Sequence, residues 1–179
     1  MLAATRRTGA WVLSTDDFNG LDVRRSEVFG PSDVVKVECK SRPGTPCDTT
    51  PHSSNYGKGW AGTNGVPTLT ASAPPKLGTV TGLTVGNSYG QPTTGYVLFS
   101  IDALNQVIPA FGGTLLVAQP IVIVPIALPP GGQNFPLPIP NDPLFLSGLG
   151  IAVQALVDDP GAKTGKLAFS RGLVLVLGL

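Results

Sequence analysis

The most apolar stretch of the chain runs from Gly112 to Pro140 and contains no charged residue. Each proline within it removes a backbone donor and clashes with the preceding turn of a helix. The prolines recur too often for a helix of any length: Pro120, Pro125, Pro129 and Pro130. This stretch therefore predicts short extended segments.

The segment Phe135–Ile139 is predicted to be an edge strand. Pro136, Pro138 and Pro140 alternate with other residues there, and alternate N–H groups of a strand point to the same edge. All the missing donors therefore lie on one edge, so the strand can pair only through its other edge. The alternative is an irregular proline-rich loop.

Across the body of the chain, short apolar segments alternate with Gly, Pro, Asn and Asp, a pattern typical of strands joined by turns. About eight strands are predicted: Thr68–Ala73, Val80–Val85, Tyr96–Ile101, Thr114–Ala118, Ile121–Leu128, Phe135–Ile139, Gly150–Val157 and Leu167–Leu177. No segment has a convincing helical pattern, so the predicted fold is all-β, an antiparallel β-sandwich of the jelly-roll or immunoglobulin-like kind. Leu173–Leu177 is apolar on both faces and should be central, with a bulge or bend at Gly172.

Residues 1–57 are predicted to form an extended N-terminal arm, and residues 58–179 the sandwich domain. Ala10–Ser14 and Asp33–Cys39 are the strand-like segments of the arm. Their apolar side chains are candidates for contacts with another copy of the chain: Trp11, Val12, Leu13, Val35 and Val37. Arg6 and Arg7 precede too short an apolar patch to predict a cleaved export signal.

Charge is scarce and unevenly distributed. The 179 residues carry a formal net charge of +1, and only 13% of them are charged. Residues 1–58 hold eight Lys or Arg and seven Asp or Glu, whereas residues 59–179 hold four of each. A net charge this close to zero gives no electrostatic attraction for nucleic acid. Pro125 interrupts the apolar segment that is the best candidate for a membrane-spanning helix. A body with so few charges is typical of extracellular β-proteins and of surfaces covered by neighbours.

A calcium site is one candidate within the arm. Asp17, Asn19 and Asp22 resemble part of a calcium-binding loop, but Leu21 stands where a further oxygen ligand is needed. A plain turn at Asn19–Gly20 is therefore the preferred interpretation. No other cofactor is predicted.

Cys39 and Cys47 flank a Pro-Gly turn, so their sulfurs can meet across a small hairpin. A disulfide is the preferred prediction for two cysteines in a chain of extracellular composition. Zinc is the weaker alternative, because only His52 is available to join the two thiolates and a structural site needs four ligands.

The segment from Asp48 to Gly65 has the composition of a linker. Its Gly57, Gly59 and Gly62 match a dinucleotide-binding spacing, but no predicted strand precedes them and no helix follows. Tyr56 and Trp60 can stack on a sugar ring, although aromatic residues of a linker more often anchor it to its own domain.

Gly86–Gly90 matches the G-x-S-x-G pattern of a nucleophilic serine at Ser88. That pattern requires a helix after the serine, whereas Gln91-Pro92 follows. The only histidine, His52, also precedes the serine, opposite to the order in that hydrolase fold. A hairpin turn is therefore the preferred interpretation, and no enzymatic activity is predicted.

From Tyr56 onwards the chain resembles the Gly/Pro/Leu-rich C-terminal β-sandwich modules that end many large secreted bacterial proteins of unassigned role. The resemblance covers the last 124 residues and is most specific in PLPIPNDP and in the ending DPGA…LAFSRGL. It implies an extracellular or cell-surface setting and brings no catalytic residue. The arm before Tyr56 lies outside the resemblance.

Two functions remain as hypotheses. The first is a structural subunit that binds copies of itself, because an apolar arm strand can add to an open sheet edge of the next copy and propagate a filament. The second is a carbohydrate-binding or adhesion module for a cell-surface polysaccharide, with four possible stacking residues: Tyr56, Trp60, Tyr89 and Tyr96. The first is preferred because the aromatic residues are few, whereas the shortage of charge extends over the whole body.

Overall fold

A computed structural model of the chain describes residues 3–7, 10–14, 49–163 and 166–179. Two strands belong to the arm, β1 (Ala3–Arg7) and β2 (Ala10–Ser14). Among the described residues, the body contains one single-turn helix, α1 (Pro143–Leu146), and eleven strands: β3 (His52–Tyr56), β4 (Leu69–Ala71), β5 (Val80–Val85), β6 (Thr93–Ser100), β7 (Ala103–Ile108), β8 (Gly113–Val117), β9 (Val122–Leu128), β10 (Gln133–Pro138), β11 (Gly150–Asp158), β12 (Leu167–Phe169) and β13 (Gly172–Val176).

One large antiparallel sheet forms the centre of the body. Its strands lie in the order β3-β13-β11-β6-β9, and β12 pairs with the C-terminal end of β11. The predicted central position of Leu173–Leu177 is confirmed, since β13 lies between β11 and β3. The predicted bulge or bend is also confirmed, because β12 and β13 both pair with β11 but their registers differ by one residue: Phe169 lies opposite Leu156, whereas Leu173 lies opposite Val153.

A second antiparallel sheet, in the order β10-β5-β4, packs on one face of the large sheet. Alternate residues of a strand point to opposite faces, so β5 directs Leu83 and Val85 towards the large sheet. They form one aliphatic cluster with Val153, Ala155 and Val157 of β11, and all five side chains are fully buried. The predicted all-β, antiparallel sandwich is therefore confirmed, with two open sheets.

The hairpin β7–β8 covers part of the opposite face of the large sheet. Leu98 and Ala152 of the large sheet cluster there with Val117 of β8. The hairpin approaches β12 closely as well, because a Cβ added at Gly113 would lie 2.5 Å from the Phe169 ring. The body thus has three layers, with the large sheet in the middle.

Two strands of the body lie outside the predicted segments. β3 has the sequence HSSNY and pairs only with the apolar β13 among the described strands. β7 has the sequence ALNQVI and is mostly exposed. Neither strand shows apolar alternation, because each is an edge strand with most of its side chains in solvent. Residues 52–56, which composition assigned to the arm, are part of the large sheet.

A small second cluster closes one end of the sandwich. Leu77, Ile139 and Leu177 are buried there, with Leu146 of α1 and Leu149 packed against them. The helix begins at a proline, which suits the first helical position because its N–H would have no helical partner. In the described ranges, no helix is long and apolar enough to cross a membrane.

Candidate functional site

The predicted arm strand is present, and it pairs with a second strand that was not predicted. β2 matches the predicted Ala10–Ser14, and its residues Trp11, Val12 and Leu13 lie opposite Arg6, Thr5 and Ala4 of β1. Among the described strands, β1 and β2 form a sheet of their own that joins neither sheet of the body.

The remaining candidates of the arm lie outside the described residues. These are the second strand segment with its two valines, the calcium candidates and the two cysteines: Val35, Val37, Asp17, Asn19, Asp22, Cys39 and Cys47. Within the residues that the structure does describe, no group of three or more His, Cys, Asp or Glu has the geometry of a metal site. Calcium and the disulfide stay predictions.

The edge strand β10 carries its prolines on the open edge, as predicted. The N–H of Ile139 donates to the carbonyl of Thr79 at 2.8 Å, and the Ile139 carbonyl accepts from Gly78 at 3.0 Å. Residue 139 thus faces the partner strand, so by alternation Pro136 and Pro138 direct their missing donors to the open edge. This edge presents carbonyl groups but few donors, which blocks the pairing of a further strand.

Other edges of the body are blocked in different ways. β9 carries Pro125 opposite Tyr96, and a proline within a sheet is tolerated where its missing donor faces the open edge. β4 has only three residues, and the Asn55 side-chain amide donates to the carbonyl of Leu69 at 3.3 Å. β7 contains a register shift between Ala103 and Gln106, and such irregularity discourages pairing.

β12 is covered by the loop that contains Trp60. The backbone N–H of Trp60 donates to the Phe169 carbonyl at 2.7 Å, and the Phe169 N–H donates to the Trp60 carbonyl at 3.0 Å. The ammonium of Lys163 lies 5.9 Å from the centre of the Trp60 ring, while the indole Nε1 is buried without a hydrogen-bond partner. Trp60 therefore anchors its segment to the domain.

Tyr56 is also used within the domain. Its hydroxyl donates a hydrogen bond to the Leu116 carbonyl of β8. Its ring packs directly on Gly172, where an added Cβ would lie 2.4 Å from the ring. Burial raises the pKa of Tyr56 to about 12. The ring thus joins the large sheet to the hairpin β7–β8 and is not displayed for stacking on a sugar.

β3 differs from these edges because none of the blocking devices is found in it. Its five residues contain no proline, no lysine and no acidic residue, and its register with β13 is continuous from His52 to Tyr56. Ser53, Ser54 and Asn55 are exposed. Among the described strands, β3 has β13 as its partner.

Ser88 is a structural residue in this fold. It is 3% exposed, and its hydroxyl donates to the carboxylate of Asp159 at 2.9 Å. The predicted hairpin turn at Gly86–Gly90 is wrong, because β5 and β6 lie in different sheets and this loop crosses between them. Asn87 shapes the loop, since its side-chain oxygen accepts from the N–H groups of Tyr89 and Gly90 at 2.9 and 3.1 Å.

Asp159 fastens three loops together. Its buried carboxylate accepts from the Thr63 N–H at 2.8 Å, the Thr63 hydroxyl at 2.6 Å, the Ser88 hydroxyl, and the Gly161 N–H at 3.0 Å. Gly62 is required beside it, because an added Cβ would lie 1.9 Å from the carboxylate. Burial by itself raises the pKa of Asp159, but these hydrogen bonds outweigh burial and hold the pKa below its ordinary value.

Gln154 is a further anchor that the sequence analysis did not identify. It is fully buried in β11, and its amide donates to the carbonyls of Thr114 at 2.9 Å and Ser170 at 3.2 Å and accepts from the Leu116 N–H at 2.9 Å. The Thr114 carbonyl and the Leu116 N–H lie on the same edge of β8. The side-chain amide of Gln154 therefore makes the two hydrogen bonds that a backbone peptide group of a neighbouring strand would make. The sequence feature that could have revealed this role is the single polar residue in the otherwise apolar segment IAVQALV.

Exposed aliphatic side chains gather at the end of the sheet where β6 ends and β9 begins. Val122 and Ile123 are 63% and 57% exposed and pair with Phe99 and Leu98, and Ile101 follows directly after β6 with 47% exposure.

No protein-family model, curated protein or solved structure matches the chain. The strand edges and the exposed surface therefore carry the evidence on function.

Proposed function

We propose that the protein is an extracellular structural subunit that assembles with copies of itself, through strand addition by its N-terminal arm. The observation that carries this proposal is the hairpin β1–β2, which is a separate sheet among the described strands. An isolated two-stranded hairpin is marginally stable in water. Addition to the sheet of another copy would provide further backbone hydrogen bonds.

The surface of the body supports the same proposal. Residues 59–179 carry only eight charged side chains, and one of them, Asp159, is fully buried. Val107, Val122 and Ile123 are each more than half exposed. A surface with few charges and exposed aliphatic side chains associates more readily than a charged one.

The test uses the full chain with Trp11→Pro and Val12→Pro together. Adjacent prolines remove donors from both edges of β2, so the arm can no longer pair as a strand. We expect the unaltered protein to form assemblies whose size in light scattering grows with concentration, and the double variant to be folded and monomeric. Asn134→Pro is the matched control, because it removes a donor only from the open edge of β10, where Pro136 and Pro138 already lack theirs, and it should leave assembly unchanged. Equal assembly of the double variant and the unaltered protein would refute the proposal.

Carbohydrate binding is the weaker candidate, because Tyr56 is held within the domain and Trp60 anchors its own segment, with Lys163 over its ring. One aromatic ring with a neighbouring cation is a small platform for a sugar. A glycan array with the unaltered protein and Trp60→Ala separates the two functions. Binding that Trp60→Ala abolishes would favour the carbohydrate-binding function.

A further inference from the structure

The cationic side chains of the body gather on one part of its surface. Residues 49–179 contain five Lys or Arg: Lys58, Lys76, Lys163, Lys166 and Arg171. All except Lys76 stand on two segments that contact each other, residues 57–60 and the segment that leads into and out of β12. We call the surface formed by these four side chains, Lys58, Lys163, Lys166 and Arg171, the basic strip.

Backbone and side-chain contacts hold the two segments of the basic strip together. Trp60 and Phe169 donate backbone hydrogen bonds to each other, at 2.7 and 3.0 Å. The Arg171 Nε donates to the Gly57 carbonyl at 3.3 Å, and the Lys163 ammonium lies 5.9 Å from the centre of the Trp60 ring. Because Gly57 and Arg171 are 114 positions apart in the chain, the fold brings these cations together and no local sequence pattern does.

The charges of the basic strip face solvent and are not balanced by the acids beside them. All four cationic side chains are exposed. Residues 57–63 and 157–171 contain two acids, Asp158 and Asp159. The Asp159 carboxylate is buried and already accepts four hydrogen bonds, whereas Asp158 is exposed opposite Leu167. These two segments therefore present four cations and one carboxylate to solvent.

The basic strip is elongated. Lys166 directly precedes β12 and Arg171 follows it, and five residues of extended chain span up to about 17 Å. Trp60 lies opposite Phe169, between these two ends, with Lys163 at its ring. A linear polymer can contact such a row of charges along its length, whereas a small anion reaches only one part of it.

We propose that the basic strip binds an acidic polysaccharide, a linear glycan that carries carboxylate or sulfate groups. Lysine and arginine side chains form charge-assisted hydrogen bonds with both of these groups. Recognition depends on charge, and Trp60 keeps its structural role of holding the two segments together, so this site differs from a site for sugar stacking. The inference does not rest on the proposed function, because neither the arm nor assembly takes part in it.

Nucleic acid fits this surface less well than an acidic glycan. Single-stranded nucleic acid is bound by several aromatic side chains on which successive bases stack. The two segments of the strip carry two aromatic residues, Trp60 and Phe169, and Phe169 is fully buried. Duplex DNA is held by about 6–10 phosphate contacts, more than four cations can make.

The binding test uses the full chain and three glycans: alginate, which carries carboxylates, heparin, which carries sulfates, and uncharged dextran. We expect at least one acidic glycan to bind and dextran not to bind. The Kd should rise about tenfold or more as salt increases from about 50 to about 200 mM, because exposed charges are screened. The glycan that binds identifies the acidic group.

Single substitutions locate the site. Lys58→Gln and Lys166→Gln should each raise the Kd about two- to five-fold, as expected for the loss of one exposed ion pair, and the double variant about tenfold. Lys76→Gln is the matched control, since it removes the same charge from an exposed position outside the strip and should leave the Kd unchanged. Asp158→Asn should lower the Kd, because it removes the carboxylate beside the strip.

Three results would overturn the inference. Neither acidic glycan binds even at low salt, or dextran binds as tightly as the acidic glycans. Lys76→Gln raises the Kd as much as Lys166→Gln, which would show that net charge alone attracts the polymer. Single-stranded poly-dT binds more tightly than both acidic glycans, which would make nucleic acid the partner of this surface.

Discussion

Apolar side chains fill most of the space between the two sheets, with Leu83 and Val153 fully buried and Phe99 and Phe135 packed against their cluster. The outer hairpin and the loops at the sheet ends are fixed differently, by the polar side chains of Gln154, Tyr56 and Asp159. Burial of aliphatic surface is non-directional and tolerates changes that keep volume. Hydrogen bonds of buried groups are directional and costly to leave unmade. The interior therefore provides stability, and the polar anchors determine how the peripheral segments are placed.

The largest effect is expected inside the sandwich. Leu83→Ala removes a fully buried side chain from the interface of the two sheets and should lower the free energy of unfolding by about 2–5 kcal/mol. Val80→Ala is the matched control, since Val80 lies on the same strand and is 63% exposed. Urea unfolding of both variants gives the comparison, and similar losses for the two would contradict the proposed role of the interior.

Gln154→Leu tests the strongest polar anchor. The variant keeps a similar volume but leaves the Leu116 N–H and the carbonyls of Thr114 and Ser170 without their partner. Each unsatisfied buried group costs about 1–3 kcal/mol, so we expect a loss of about 3 kcal/mol in total. The exposed Gln133→Leu is the control. Hydrogen exchange should accelerate most at the Leu116 amide, and unchanged protection there would show that Gln154 does not hold the hairpin.

Asp159→Asn should weaken the junction of three loops by about 2 kcal/mol, because charge-assisted hydrogen bonds are stronger than neutral ones. The adjacent, exposed Asp158→Asn is expected to change stability by less than about 0.5 kcal/mol. The folded pKa of Asp159 is depressed, so its contribution is complete above its ordinary pKa of 3.8 and is lost as the pH falls through the folded pKa. Melting temperatures of both variants across this acid range provide the measurement.

Tyr56→Phe removes one hydrogen bond and keeps the ring, so the expected loss at neutral pH is about 1 kcal/mol. The pKa of Tyr56 is raised from 10.0 to about 12 in the folded protein. Its contribution is therefore present below pH 10.0 and is lost as the pH rises from there to about 12. The stability difference between the unaltered protein and Tyr56→Phe should shrink over this range, and a constant difference would contradict the burial of the hydroxyl.

The smallest effect has the opposite sign. Thr81 is fully buried, and its hydroxyl has no hydrogen-bond partner. Thr81→Val replaces that hydroxyl by a methyl group of similar size, so we expect a gain of about 1 kcal/mol. The exposed Thr70→Val on β4 is the control. A loss of stability in Thr81→Val would show that the hydroxyl has a partner in solution.

The sequence by itself determined the all-β class, most strands of the body, and the proline-blocked edge of β10. These features depend on local rules: prolines exclude helices, residues alternate along a strand, and missing donors at alternate positions fall on one edge. β2 of the arm was predicted for the same reason.

Only the tertiary structure decided which strands lie at the sheet edges and which polar groups are anchors. β3 has no apolar pattern of its own, and its place in the sheet depends on β13, more than 100 residues later in the chain. Gln154, Ser88 and Asp159 acquire their roles from partners that are distant in sequence. A sequence pattern records the burial of a residue's own side chain, whereas pairing and hydrogen bonding depend on which other segment lies beside it.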